Sequence, residues 1–267
     1  MKNHISHTEF SIFNQCPYKH YLMYVSEAIP FNENEHLSFG EALHDIAELQ
    51  VKGNQKVKDW NEYFDLKFLE GLTQLRKKFP NKELNNQLIV EMRQQGRTLA
   101  NHLILPKLKE IYGNFTVVQT EERFQEEIKG LNLLRKYSFK GFIDIIIKKE
   151  DGRYVIIDYK TSTSGWWGRD RTDKMKVYQL IYYKHFWCLK HNIDPKQVDV
   201  AFCLLKRKVK KEHIELIPVT SGKKRIDNAL ILLEKTVNGI IEEKKYRKKN
   251  KCEWCHCREI HCLQKAT

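Results

Sequence analysis

Residues Phe139 to Lys160 read F-K-G-F-I-D-I-I-I-K-K-E-D-G-R-Y-V-I-I-D-Y-K, two apolar β-branched runs on either side of an Asp-Gly turn signal. The pattern predicts a β-hairpin. Taking Glu150, Asp151 and Gly152 as a three-residue loop puts the glycine at the third position, where a left-handed backbone costs it nothing. Facing residues then sum to 302, so Lys149 faces Arg153 and Asp144 faces Asp158, with β-carbons about 5 Å apart. A two-residue loop would send the two aspartates to opposite faces. Because side chains alternate, Asp158 and Lys160 share a face and Tyr159 points the other way.

Two carboxylates opposed on a sheet repel unless a cation lies between them or one holds a proton. A divalent metal is the simplest resolution. Hydrolysis of a phosphodiester with metal assistance needs hard oxygen ligands and an ammonium to orient or activate water and offset transition-state charge. Asp144, Asp158 and Lys160 supply that set on one surface. An Asp-x-Lys triplet by itself is weak, since most are exposed strand edges; the opposed Asp144 gives it meaning.

At these residues the chain resembles the PD-(D/E)xK nucleases, in particular their RecB-like branch. The matching pieces are G-E-A-L-H (Gly40 to His44), G-F-I-D (Gly141 to Asp144), I-I-D-Y-K-T (Ile156 to Thr161) and Q-L-I-Y-Y (Gln179 to Tyr183). The aspartate at 158 departs from the glutamate common in that branch but stays within the wider pattern. The resemblance implies an α/β restriction-endonuclease-like core, a mixed sheet flanked by helices, in a single nuclease domain over 1–267. It further implies Mg²⁺ or Mn²⁺ held by His44, Asp144, Asp158 and the Tyr159 carbonyl, with Lys160 acting on the attacking water and Gln179 and Tyr183 steadying the site. The activity implied is cleavage of DNA, as an exonuclease on single-stranded ends.

The 47 Lys and Arg outnumber 34 Asp and Glu, a net charge of +13 that suits a polyanionic partner or else a solubilising lysine surface. Hydrophobic residues make up 41%, enough for a substantial core, yet no run of 18 is apolar and the opening M-K-N-H-I-S-H has no apolar segment. A cytoplasmic protein without membrane contact is expected. A non-catalytic DNA-binding protein of the same fold is the first rival, and the intact Asp144, Asp158 and Lys160 argue against it. A two-carboxylate glycosidase is the second, and it needs neither the lysine nor a basic surface.

Along the rest of the chain, residues 37–51 read as a helix on which Gly40, His44 and Glu48 share a face. By spacing alone His44 is either a core histidine or a metal ligand. Residues 52–112 read as a helical insertion or flap, with Phe64, Phe68 and Leu72 at helical intervals. Phe115 to Phe124 reads as a strand, from which Glu121 or Glu122 would reach the site or be solvated. Trp166 and Trp167 beside Arg169 and Arg171 suit stacking on single-stranded nucleic acid; the alternative is a loop that tucks one tryptophan inward. Val177 to Leu189 reads as an amphipathic helix bearing Gln179 and Tyr183 on one face, Val198 to Leu205 as a strand and Ala229 to Ile241 as a helix. The basic run Lys244 to Lys251 is a solvated linker or a phosphate contact.

The tail K-C-E-W-C-H-C-R-E-I-H-C, residues 251–262, carries Cys252, Cys255, Cys257 and Cys262. In a reducing compartment that density marks a metal site, and its spacing fits zinc or an iron-sulfur cluster. Ser11, Phe13, Cys16-Pro17 and Tyr21 resemble the N-terminal signature of the RecB-like nucleases that carry a 4Fe-4S cluster, a group that includes CRISPR-associated exonucleases and the AddB nuclease domain. That resemblance implies Cys16, Cys252, Cys255 and Cys262 as ligands, clamping the chain ends together within a tail over 244–267. The gap after Cys255 is one residue longer than is common there, which leaves Cys257 and His261 as substitutes.

Overall fold

The structure is a computed structural model that describes residues 2–31, 33–53 and 56–244; the cysteine tail and residues 245–251 of the basic run lie outside the described residues. In chain order the elements are β1 (His4–Ser6), α1 (His7–Gln15), α2 (Pro17–His20), α3 (Glu35–Val51), α4 (Trp60–Lys78), α5 (Asn86–Ala100) and α6 (Ile104–Tyr112). They continue with β2 (Phe115–Glu127), β3 (Ser138–Lys149), β4 (Tyr154–Ser162), α7 (Arg169–Thr172), α8 (Lys174–His191), β5 (Val198–Lys206), β6 (Ile214–Val219) and α9 (Lys223–Ile241). Contacts divide the chain into two compact units, one of Met1–Asn32, Arg123–Gly141 and Lys223–Thr267, the other of Glu33–Glu122 and Phe142–Gly222.

In the second unit β3 and β4 form the hairpin in the expected register, with Ile145 facing Ile157 and Ile147 facing Val155. The Lys149 N–H donates to Arg153, the Gly152 N–H returns to the Lys149 carbonyl, and Gly152 has φ +84°. β5 lies parallel to β4, and β6 antiparallel to β5, so the sheet is mixed. Odd-numbered residues Ile145, Ile147, Val155, Ile157, Tyr159 and Cys203 meet Phe39, Leu43 and Ile46 of α3 and Phe64, Phe68 and Met92 of α4 and α5 in one core. The segment expected as an insertion or flap thus covers one face of the sheet. Its helices start where the sequence offers caps, Asn34, Asp59 and Asn85, each side chain accepting backbone N–H groups of the first turn.

The opposite face carries α8, which begins at the Asp173 cap and ends at Asn192 in a left-handed conformation. Trp187 meets the even-numbered Tyr154 at 5.2 Å. This helix is not amphipathic as expected. Ten of its residues are buried, including Tyr178, Leu180, Ile181, Tyr182 and Phe186, which surround most of its circumference. In the first unit, β1 pairs parallel with Ser138–Lys140. There α1 lies along α9, where Asn14 donates to Thr236 at 2.8 Å and Gly239 leaves room for the Phe13 ring. Segments near both chain ends therefore meet.

Candidate active site

The hairpin ladder ends at Ile145 and Ile157. By the alternation of an antiparallel pair, Tyr159 carries the next N–H directed at β3. It donates to the carboxylate Oδ2 of Asp144 at 2.6 Å. A side chain has taken the place of a backbone carbonyl, and the strands part where the two aspartates lie. Residues from both faces of the sheet reach this opening. From α3, His44 Nδ1 comes to 3.7 Å of Asp144 Oδ1, and its ring stands edge-on to Tyr159. From α8, Gln179 donates to Asp158 Oδ1 at 2.9 Å and to the Tyr183 hydroxyl at 3.0 Å. Gln179 and Tyr183 are one turn apart, so a single helix face presents both.

Asp158 is only 2% exposed. Burial, with Asp144 adding to it, pushes its carboxyl up to about 6 even though the Lys160 ammonium pulls the other way. Lys160 Nζ lies 2.6 Å from Asp158 Oδ2. That oxygen is fully buried, and the ammonium is what meets its charge. Burial presses the His44 imidazole down, and the nearby Asp144 carboxylate overrides this and holds it above its ordinary value. Burial, and then Asp158, push the Tyr183 hydroxyl up, so it serves as a neutral hydrogen-bonding group.

The adjacent Glu121 and Glu122 of β2 separate. Glu122 is buried and gathers the Trp187 indole N–H at 2.8 Å, Lys190 Nζ at 2.7 Å and His191 Nε2 at 2.7 Å, a structural hub. Glu121 stands at φ +53°, and its carboxyl is raised by burial and by the charges of Glu48 and Asp144. A left-handed glutamate inside a strand is a feature that sequence patterning does not signal. Glu48, one turn beyond His44, accepts the Thr120 hydroxyl at 3.1 Å. In the loop after β4, Trp166 is buried against Phe202 at 4.9 Å with Lys176 over its ring, whereas Trp167 is 71% exposed. Arg169 and Arg171 are both exposed, and Arg171 donates to the Trp166 carbonyl and to Glu215.

Among the described residues no three His, Cys, Asp or Glu side chains converge closely enough to hold a metal ion. The donor chemistry around the opening still fits a hard divalent cation: two carboxylates, a neighbouring imidazole and a buried carboxylate oxygen, Asp158 Oδ2, without a directed hydrogen bond. Of the cysteines, Cys16 is buried in the first unit, and Cys188 and Cys203 are buried in the second. Burial pushes the Cys188 thiol up to about 12 and the Cys203 thiol higher still, which makes both inert.

The mixed sheet flanked by helices is a nuclease-type α/β core, and the chain belongs to the PD-(D/E)XK nuclease superfamily, whose family model matches residues 4–260. Members of that superfamily generally use divalent metals such as Mg²⁺. Among solved structures the chain is similar to a "Putative exonuclease" from Eubacterium rectale, 13% identical, with 97% of this chain and 88% of that one covered at a TM-score of 0.56. It is also similar to SSO0001, 17% identical, with 100% and 89% covered at a TM-score of 0.44. No curated protein matches the chain.

Proposed function

We propose that this chain is a Mg²⁺- or Mn²⁺-dependent deoxyribonuclease of the RecB-like branch, an exonuclease on single-stranded DNA ends. The observation that carries the reading is the opening between β3 and β4, where Asp144, Asp158 and Lys160 come together with Gln179 held on Asp158. His44, Asp144, Asp158 and the Tyr159 carbonyl would hold the ion. A bound divalent ion polarises the scissile phosphate and lowers the pKa of water. Lys160 orients the attacking water and offsets negative charge on the phosphate. Gln179 fixes the Asp158 carboxylate, and Tyr183 braces Gln179 in turn. The name of the Eubacterium rectale relative favours exonucleolytic action. Exposed Trp167 beside Arg169 supports contact with unstacked bases and backbone, and the +13 charge supports a polyanionic substrate. No described helix is long and apolar enough to cross a membrane.

The same reading includes a 4Fe-4S cluster on Cys16, Cys252, Cys255 and Cys262, with zinc as the other metal the spacing admits. Cys16, the one of these four among the described residues, is buried. One assay tests the catalytic reading: oligonucleotides labelled at the 5′ or the 3′ end, with Mg²⁺, Mn²⁺ or EDTA. Metal-dependent shortening from one end is expected. Binding without cleavage in any metal would instead identify a non-catalytic DNA-binding protein.

A further inference from the structure

The loop joining β5 to β6 reads R-K-V-K-K-E, residues 207–212, directly after Lys206. Nothing in its local pattern separates it from a solvated turn. Its placement does. β5 runs parallel to β4, the strand of Asp158 and Lys160, with Lys160 opposite Leu204 and Ser162 opposite Lys206. The pairing continues past the end of β4, because the Arg207 N–H donates to Ser162 at 3.0 Å and the Lys208 N–H to Thr163 at 2.8 Å. The base is closed by the Lys206 N–H on the His213 carbonyl at 2.8 Å and by His213 Nδ1 on the Lys206 carbonyl at 3.0 Å. The loop is therefore pinned by its backbone beside the segment that leaves the site.

Arg207 turns inward over the Phe39 ring and toward Thr163, while Lys208, Lys210 and Lys211 are exposed. Lys208 has a 3.5 Å pairing with Glu91, and neither Lys210 nor Lys211 makes an ion pair among the described residues. Lys208 lies four positions beyond the residue that faces Lys160, at most about 13 Å away along the chain at roughly 3.3 Å per residue. A stacked strand carries a phosphate about every 3.4 Å, so that span covers about four nucleotides.

We infer that the β5–β6 loop is a phosphate-binding arm, in which Lys208, Lys210 and Lys211 hold the backbone of a nucleic-acid strand next to the residue that would be cleaved. The inference rests on the nuclease reading above. It identifies the substrate class as a strand extending several nucleotides beyond the scissile phosphate, held by charge and without base readout.

The test compares wild type, Lys210→Glu/Lys211→Glu and, as a control of the same sign, Lys129→Glu at an exposed lysine of the first unit. Binding of a fluorescent oligothymidylate is titrated against salt in EDTA, and cleavage is followed in Mn²⁺. The arm variant is expected to lower the log-log salt slope by about 1.4, at about 0.7 per lost phosphate contact, and to raise KM with kcat unchanged. Lys129→Glu should alter neither. If wild type binds and cleaves while the arm variant behaves like the control, the arm is overturned and the nuclease reading stands. If wild type neither binds nor cleaves, both fall.

Discussion

The Asp144 carboxylate accepts the backbone N–H of Tyr159 at 2.6 Å, so an acidic side chain ends the hairpin ladder where the sheet would otherwise continue. One strand end is spent on opening a site. That geometry ties the aspartates to stability as well as to chemistry, and the two contributions have opposite signs at Asp144 and Asp158.

Replacing Asp158 should abolish cleavage and leave the fold at least as stable. Its carboxylate is buried, its pKa is raised by that burial, and a neutral amide would still receive the Gln179 hydrogen bond. For Asp158→Asn we expect no detectable turnover, DNA affinity near wild type in EDTA, and a melting temperature unchanged or raised by a few degrees, at about 2–4 °C per kcal/mol. Asp144→Ala should instead lower it, since the Tyr159 N–H loses its acceptor at a cost of about 1–3 kcal/mol. Calorimetry of both metal-free variants decides the contrast.

Two helix glycines should respond oppositely to alanine. At Gly96 a β-carbon would lie 1.9 Å from the Phe64 ring, where α5 crosses α4, and we expect a loss of about 1–3 kcal/mol from overpacking. At Gly40 it would meet only Thr161 Oγ1 at 3.8 Å, so Gly40→Ala should be neutral or gain up to about 1 kcal/mol of helix propensity. Urea midpoints at unchanged m-value are the measurement. A destabilised Gly40→Ala would contradict the space the structure gives it.

Glu122 should make stability depend on acid. Burial alone would raise its pKa, but hydrogen bonds from Lys190, His191 and Trp187 outweigh it and hold the carboxyl below its ordinary value. A depressed carboxyl contributes stability above the unfolded value of about 4.3 and loses it as pH falls through the folded one. Glu122→Gln should therefore cost about 2 kcal/mol near pH 7, with the gap to wild type narrowing below pH 4. Equal urea midpoints at pH 7 would show that the hub contributes nothing.

The cluster assignment separates by metal analysis. Anaerobically purified protein should be brown, with broad absorbance near 400 nm and several irons per chain. Cys16→Ala should lose the iron and destabilise the fold by releasing the chain ends. Cys257→Ala should keep it. Stoichiometric zinc, or metal loss with Cys257→Ala but not Cys16→Ala, would refute the assignment of Cys16, Cys252, Cys255 and Cys262.

Local rules made the centre of this protein readable from residues alone. A three-residue loop with glycine last sets a register, and a period of two then puts Asp158 and Lys160 on one surface; Gly152 at φ +84° and the Ile145–Ile157 pair obey those rules. What escaped the sequence depends on groups distant along the chain. Asp144 and Asp158 face each other by register, but only the bond from Tyr159 reveals that the strands part between them. Glu121 and Glu122 are adjacent and chemically alike; the left-handed turn at Glu121 and the cations of α8 sort one toward the site and the other into a hub. Trp166 packs against Phe202 while Trp167 stays exposed, a division between two adjacent tryptophans that their sequence does not make. The lysines of the β5–β6 loop read as a solvated turn until the parallel pairing of β5 with β4 brings the loop just past the strand end that carries Lys160, a juxtaposition of residues more than forty positions apart that no local periodicity encodes.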